Sequence, residues 1–285
     1  ETPIEESTMT KKISFQGELG AYSHQACIQA KPNYEAIPCN TFESAMERVR
    51  LEEVDLAMLP IENSTYGRVS DIHRLLPESQ LHIVGEVFVR VRISLLGVKG
   101  TEISKIKSAV SHSVLLGQCR NFLTSQKIEP VAGADTAGSA RYISELGDPS
   151  KAALASELAG ETYGLSVLAK DIEDNDNNTT RFLIMSKMPS DEEQVKQGMM
   201  TSFVFRVKNI PAALFKAMGG FATNGVNMTK LESYMVDGDF TATQFYADIE
   251  GHPDDKNVSL AFEELSFFTS EIKILGSYKA DSNRS

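Results

Sequence analysis

The sequence predicts an α/β fold followed by a smaller ferredoxin-like unit, and three observations support this. Short β-branched apolar runs alternate with helix-spaced segments up to about residue 187. A stretch holding Pro189 and a charged Asp-Glu-Glu run, 187–198, then breaks that rhythm. The remainder reads β-α-β-β-α-β. With 285 residues, 41% of them hydrophobic, the chain is too apolar for disorder. Its length suits about two domains.

Each element has a local reason. Lys12 to Gln16 is a short apolar strand ending at Gly17. A helix is expected from Ser23, a possible N-cap, to about Lys31, stopped by Pro32. Thr41 reads as the N-cap of a helix carrying Phe42, Ala45, Met46 and Val49 at helical spacing. Val54 to Ile61 is a buried strand. Strands are expected at Leu81 to Val84 and Val87 to Val98, and one helix from Val114 to Leu123. Thr136 should cap a helix to Leu146, Ala152 to Leu154 is a buried strand, and Glu157 to Tyr163 is a helix ended by Gly164. After a polar loop, 173–179, Arg181 to Ser186 is a strand. Beyond the linker come the strand Thr201 to Val207, a helix with Pro211 at N1 and Ala213, Leu214, Met218 and Phe221 on one face, and strands 226–235 and 241–249 around the turn 236–239. The helix 254–268 and the strand Ile272 to Ser277 close the chain.

Simple counts exclude several classes. The 28 Lys+Arg against 39 Asp+Glu give a net charge of −11 without a basic cluster, so no nucleic-acid partner is expected. A small anionic substrate in a locally positive pocket stays possible. The longest uncharged stretch, 217–229, is too short and too polar for a span of about 18 apolar residues, so no membrane partner is expected. Cys27, Cys39 and Cys119 form no CxxC, which fits a reducing compartment, and the five His show no metal-ligand spacing. No signal-peptide core precedes Lys11, residues 1–10 read as a polar tail, and a cytoplasmic location is expected.

Four short segments carry polar chemistry. Gly17 to His24 places two Gly between a strand and a helix, an arrangement suited to cradling an anion, although an ordinary βα turn reads the same way. Pro60 to Arg68 sets Glu62, Asn63, Ser64 and Thr65 in a row after a buried strand, where α/β sheets bind ligands. Ser111 and His112 with Gln118 and Cys119 punctuate an apolar stretch, Ser111 most economically as an N-cap. Asn175 to Phe182 ends a loop and starts a strand. Alternation puts Thr180 and Phe182 on one face and Arg181 on the other.

In this order the four segments resemble prephenate dehydratase, from about Lys12 to Tyr278. The family's Gly-Pro-x-Gly-Thr-Phe/Tyr-Ser element is similar to Gly17 to Ser23, with Glu18 for Pro and Ala21 for Thr. Its Pro-Ile-Glu-Asn-Ser element stands intact at Pro60 to Ser64. Ser111, His112, Gln118 and Cys119 match a third element, and Thr180, Arg181 and Phe182 match the Thr-Arg-Phe signature. The resemblance implies two α/β lobes like those of type 2 periplasmic binding proteins, lobe 1 at about 12–92 and 170–187 and lobe 2 at about 93–169. A linker at 188–199 and an ACT regulatory module at 200–278 follow.

The implied reaction removes water and carbon dioxide from prephenate to give phenylpyruvate, and needs no metal or other cofactor. Expelling hydroxide calls for a proton donor, a role the resemblance gives to Thr180. Asn63 and Gln118 would offer neutral N–H donors, and Glu62, Ser64 and Ser111 would orient them. Ala21, Tyr22 and Ser23 would hold the second carboxylate, with Thr179, Arg181 and Phe182 completing the substrate contacts. For the ACT module the resemblance implies L-phenylalanine as effector, held near Ala212, Ala213, Leu214, Asn224, Asn227, Leu231, Glu232 and Ser233. Tyr234 and Met235 replace the family's Arg-Pro, so an altered response is expected. A homo-oligomer, dimer or tetramer, should form through ACT sheets. Two alternatives stay open: arogenate as substrate, and a non-catalytic two-lobed small-molecule binding protein.

Overall fold

The computed structural model describes residues 9–191, 197–236, 238, 240 and 242–284. Most of the expected tail at 1–10 and parts of the linker and of the turn at 236–239 lie outside the described residues. The described residues form a mixed α/β fold with three sheets. Its first part runs β1 (Lys12–Gln16), α1 (Tyr22–Ala30), β2 (Glu35–Cys39), α2 (Phe42–Arg50), β3 (Leu56–Asn63), β4 (Gly67–Arg68), α3 (Ser70–Leu75) and β5 (His82–Arg90). The middle runs β6 (Ser94–Gly97), β7 (Ser108–Ser111), α4 (Ser113–Gln118), α5 (Arg120–Gln126), β8 (Glu129–Ala132), α6 (Thr136–Leu146), β9 (Lys151–Ala155), α7 (Glu157–Tyr163) and β10 (Ser166–Ala169). The chain then returns through β11 (Thr179–Ser186) and ends with β12 (Met199–Val207), α8 (Ala213–Thr223), β13 (Met228–Met235), β14 (Ala242–Glu250), α9 (Lys256–Phe268) and β15 (Thr269–Lys279).

The first sheet orders β2-β1-β3-β11-β5 with β4 beside β3, the second β10-β6-β9-β7-β8, and the third β13-β14-β12-β15. The chain folds into two compact units. One holds 9–48, 57–68 and 88–182, and the other holds 49–56, 69–87 and the described residues from 183 onward. In the first unit the second sheet is closed by a core of Leu95, Ala109, Leu115, Leu123 and Leu154, with a neighbouring cluster of Leu96, Ala140, Ile143 and Ala159. In the second unit the β-α-β-β-α-β segment buries Phe203, Phe205, Phe221, Phe245 and Leu265 under α8 and α9, with Phe262 edge-on to Phe203 at 4.9 Å. The opposite sheet face carries a buried polar set: Ser202 and Tyr246 donate to Asp248, and Tyr278 bonds Ser202. Gly276 meets the Ile83 backbone there so closely that a Cβ would overlap its carbonyl.

Several local expectations change. β2 went unread because Pro38 sits inside it. The strand is tolerated because it lies at the sheet edge, where a missing N–H costs least. Strand β5 is continuous over 82–90, and the expected run 87–98 breaks at 91–93 before β6. The single helix 114–123 divides at Cys119, whose φ of −117° is not helical. Asp135, not Thr136, caps α6 through its side chain, and His112, not Ser111, caps α4 by accepting from the Val114 N–H. Ala21 stands at the N-cap of α1, so Ser23 lies inside the helix. Ala212, at φ +58°, precedes α8 and displaces Pro211 from N1. Thr41 caps α2 as expected, in reciprocal bonds with Ser44. The short α3, β7, β8 and β10 carried too few residues to show a period.

Candidate active site

The turn before α1 does not offer the anion cradle expected of it. The Gly17 N–H donates to the Cys39 carbonyl, the Gly20 N–H to His24 Nδ1 at 2.9 Å, and the Ala21 N–H to the Glu18 carbonyl. The turn instead meets α6 and α7. The Ser156 hydroxyl donates to the Gly20 carbonyl at 2.9 Å and the Tyr163 hydroxyl to the Leu19 carbonyl at 2.6 Å. Arg141 grips both oxygens of Glu18 at 2.9 and 3.1 Å. Gly20 has φ +89°, and a Cβ on it would lie 2.9 Å from Ala159 Cα, so both backbone and space demand glycine. His24 lies flat on Phe15, and burial lowers its pKa, keeping Nδ1 unprotonated as an acceptor for Gly20.

Beside this turn, Ala21, Tyr22 and Ser23 line a cavity of about 400 Å³ together with Gly17, Asn40 and Thr136. The lining also carries the Glu18 and Asp135 carboxylates, the first paired with Arg141 and the second accepting from the Gly138 N–H, so partial positive charge comes from the start of α1. Tyr22 is partly committed elsewhere. Its hydroxyl donates to the Arg92 carbonyl at 2.7 Å, and its pKa is raised, first by burial and then by Cys119 and Glu173.

A second constellation forms where β3 ends and β11 begins. Asn63 Nδ2 donates to Thr180 Oγ1 at 3.0 Å and to Asn178 Oδ1 at 2.7 Å, while Asn63 Oδ1 accepts from the N–H groups of Thr65 and Tyr66 at 2.8 and 3.0 Å. The Asn63 amide is therefore saturated, and its effect falls on Thr180 rather than directly on a substrate. Ser64 is equally engaged: its hydroxyl accepts from the Thr179 N–H at 2.9 Å and donates to the Asn177 carbonyl at 2.8 Å, and its own N–H donates to the Thr179 carbonyl. Strand alternation separates the neighbours as expected. Arg181, 2% exposed, pairs with Glu62 at 3.1 Å, apart from the Asn63–Thr180 contact, and Phe182 is core.

The middle segment contributes less than its sequence implied. Ser111 is fully buried at the end of β7 and donates to the Leu154 carbonyl at 2.7 Å. Cys119 is core, its thiol pushed up to about 12 by burial, then by Glu173 and Asp174. Gln118 keeps a buried Oε1 without a hydrogen-bond partner among the described residues, and its carbonyl accepts from the Asp174 N–H at 2.7 Å. The cavity lining does not include Thr180, Asn63 or Gln118.

These placements meet a direct comparison with known proteins. The family model described as prephenate dehydratase matches residues 13–190. The chain belongs to the prephenate dehydratase family. It is 48% identical over 268 residues to the bifunctional N-acyl-homoserine lactone acylase/prephenate dehydratase of Komagataeibacter europaeus, covering 94% of this chain and 95% of that protein. It is 40% identical over 284 residues to arogenate dehydratase/prephenate dehydratase 1 of Arabidopsis thaliana, covering 95% of this chain and 72% of that protein. Among solved structures, the prephenate dehydratase of Arthrobacter aurescens in complex with L-Phe superposes with a TM-score of 0.86 at 32% identity, over 96% of this chain and 91% of that one. A structure described as a novel type of quorum quenching acylase gives 0.91 at 47% identity, over 96% and 100%.

In this member of the prephenate dehydratase family the second unit has its own cavity. It measures about 610 Å³ and is lined by Ala212, Ala213, Leu214, Leu231 and Ser233 with Lys208, Asn209 and Phe215. The expected effector residues Asn224, Asn227 and Glu232 are not in that lining. Asn224 caps α8 by donating to the Gly220 carbonyl at 2.7 Å, and Glu232 lies 3.8 Å from Lys230. Sequence reasoning missed Asn40, Thr136 and Asn178. Asn178 was hidden in an Asn-rich run that turn chemistry already explains, since Asn175 Oδ1 does accept from the Asn177 N–H. Among the described residues no group of His, Cys, Asp and Glu is placed to hold a metal, and no helix is long and apolar enough to cross a membrane.

Proposed function

We propose that the chain is a prephenate dehydratase that converts prephenate to phenylpyruvate with Thr180 as proton donor. The observation that carries this reading is the 3.0 Å bond from Asn63 to Thr180 Oγ1. The oxygen accepts there, so its own hydrogen is left to point at a leaving group. In the reaction the ring carbon–carboxylate bond breaks and its electron pair enters the ring as the C–O bond to the ring hydroxyl breaks. The departing hydroxide takes a proton from Thr180 and leaves as water, carbon dioxide departs, and Thr180 recovers a proton from solvent. One proton is consumed per turnover. A threonine hydroxyl is a weak acid, so it delivers its proton only as the C–O bond opens. The second carboxylate would sit at the α1 terminus with Ser23. A neutral hydroxyl and backbone donors would meet it there, beside a Glu18 whose charge is balanced by Arg141.

Thr180→Ala should lower phenylpyruvate formation by about 100-fold or more while the protein stays folded. Turnover near wild type would sink the donor assignment. The Arabidopsis relative named arogenate dehydratase/prephenate dehydratase 1 makes arogenate the competing substrate, and kcat/KM for the two measured side by side decides between them. Amide hydrolysis is the second reading, favoured by the acylase named in the 48% identical relative. Release of homoserine lactone from an N-acyl-homoserine lactone would establish it alongside the dehydratase. Regulation is proposed through the 610 Å³ cavity and ACT-type pairing along the edge strand β13. Calorimetry without phenylalanine binding would remove the effector, and a monomer in light scattering would remove the oligomer.

A further inference from the structure

We infer that Asn178 is a positioning residue that aims the Thr180 hydroxyl by locking the Asn63 amide. The inference rests on the proposed role of Thr180 as proton donor.

Asn178 is 4% exposed, although it lies in the loop before β11. Its carbonyl accepts from the Val91 N–H at 2.8 Å, fixing its backbone to the segment that leaves β5. Its Oδ1 then accepts one of the two Asn63 Nδ2 hydrogens at 2.7 Å. An amide group is planar, so once Oδ1 of Asn63 is held by two backbone N–H groups and one Nδ2 hydrogen by Asn178, the second hydrogen has a single direction. It ends on Thr180 Oγ1 at 3.0 Å. A hydroxyl that accepts from a fixed N–H cannot turn its own proton toward that donor, so the proton is directed elsewhere. The loop's turn is already made by Asn175 and Asn177, which leaves the buried side chain of Asn178 without a turn-forming task.

Removing the Asn178 acceptor would leave a half-buried Asn63 N–H without that partner. The amide would rotate to recover one, and Thr180 would lose its fixed orientation. The loss belongs in kcat, because ground-state contacts to substrate carboxylates are untouched. Misdirected groups cost ~10- to 100-fold in rate.

The test measures kcat and KM for phenylpyruvate formation from prephenate in wild type, Asn178→Ala, Asn178→Asp, Thr180→Ala and the Asn178→Ala/Thr180→Ala double variant, each checked for folding by circular dichroism. Asn178→Ala should lower kcat ~10- to 100-fold with KM within about threefold. Asn178→Asp keeps the acceptor oxygen and should restore kcat to within about threefold of wild type. In the Thr180→Ala background the alanine at 178 should cost less than about threefold, because the residue it acts through is gone. Near wild-type kcat in Asn178→Ala, no rescue by aspartate, or an equal loss in both backgrounds would each overturn the inference. Where Asn178→Ala fails to fold, the aspartate variant decides alone, and a loss beyond tenfold overturns it. A fully active Thr180→Ala would instead remove the donor assignment itself, an outcome separate from an inactive Thr180→Ala beside an unaffected Asn178→Ala.

Discussion

Gly20→Ala places a methyl group where the turn before α1 meets α7. The residue has φ +89°, and the added Cβ would sit 2.9 Å from Ala159 Cα and 3.2 Å from Ala159 Cβ. Two costs act together. An L-residue in left-handed backbone loses about 1–2 kcal/mol, of which ~0.4–1 kcal/mol returns through the lower entropy of the unfolded chain. The contact adds about 1–3 kcal/mol, because the neighbour is main chain and cannot swing away. The sum is roughly 1–4.5 kcal/mol. At about 2–3 °C per kcal/mol for a chain of this length, the melting midpoint should fall by ~2–14 °C. Gly100→Ala separates the two costs: Gly100 has φ +86° but nothing within 4 Å of the added Cβ. It should lose only the strain, under ~5 °C. The assay is thermal unfolding of both variants in the same buffer. Equal shifts would refute the argument that contact with α7, rather than backbone strain, fixes this turn. Because the same turn sets the start of α1, Gly20→Ala should also raise KM for prephenate, whereas Gly100→Ala should not.

Two further outcomes follow from protonation. His24 has its pKa lowered in the folded protein, so the unfolded chain binds the extra proton more readily. Its stabilising effect is complete above about 6.5 and is lost as pH falls toward the folded value. Thermal midpoints should therefore drop on acidification below about 6.5, by less in His24→Gln than in wild type. A pH dependence unchanged by that substitution would exclude His24 as its source. The Cys27 and Cys119 thiols are buried and pushed up to about 12, so neither forms thiolate near neutrality. Native protein should react with a thiol reagent at these positions only after denaturation, as read by peptide mass spectrometry. Rapid labelling in the folded state would contradict their burial.

Much of the architecture was legible because its causes are local. The apolar runs 12–16 and 56–61, the Thr41 cap, the Gly164 stop and the β-α-β-β-α-β order are set by residues within a few positions of one another. Of the elements that escaped notice, β4, α3, β7, β8 and β10 are two to six residues long and too short to show a period, and β2 was masked by Pro38. The segments carrying the site were legible as well, through residue types that a bare turn would not require.

The α/β class, the β-α-β-β-α-β order of the last segment and the alternation that sends Thr180 and Arg181 in opposite directions are written in local patterns, because strand and helix geometry repeat over a few residues. Only the tertiary structure decided what those side chains meet. Asn63 and Asn178 are 115 residues apart, and no local pattern shows that one amide saturates the other. The turn before α1 read as an anion cradle until the N–H groups of Gly17, Gly20 and Ala21 proved to be spent on Cys39, His24 and Glu18. A donor's availability depends on every acceptor that the fold brings within reach, and that is a property of the packed chain rather than of any segment of it.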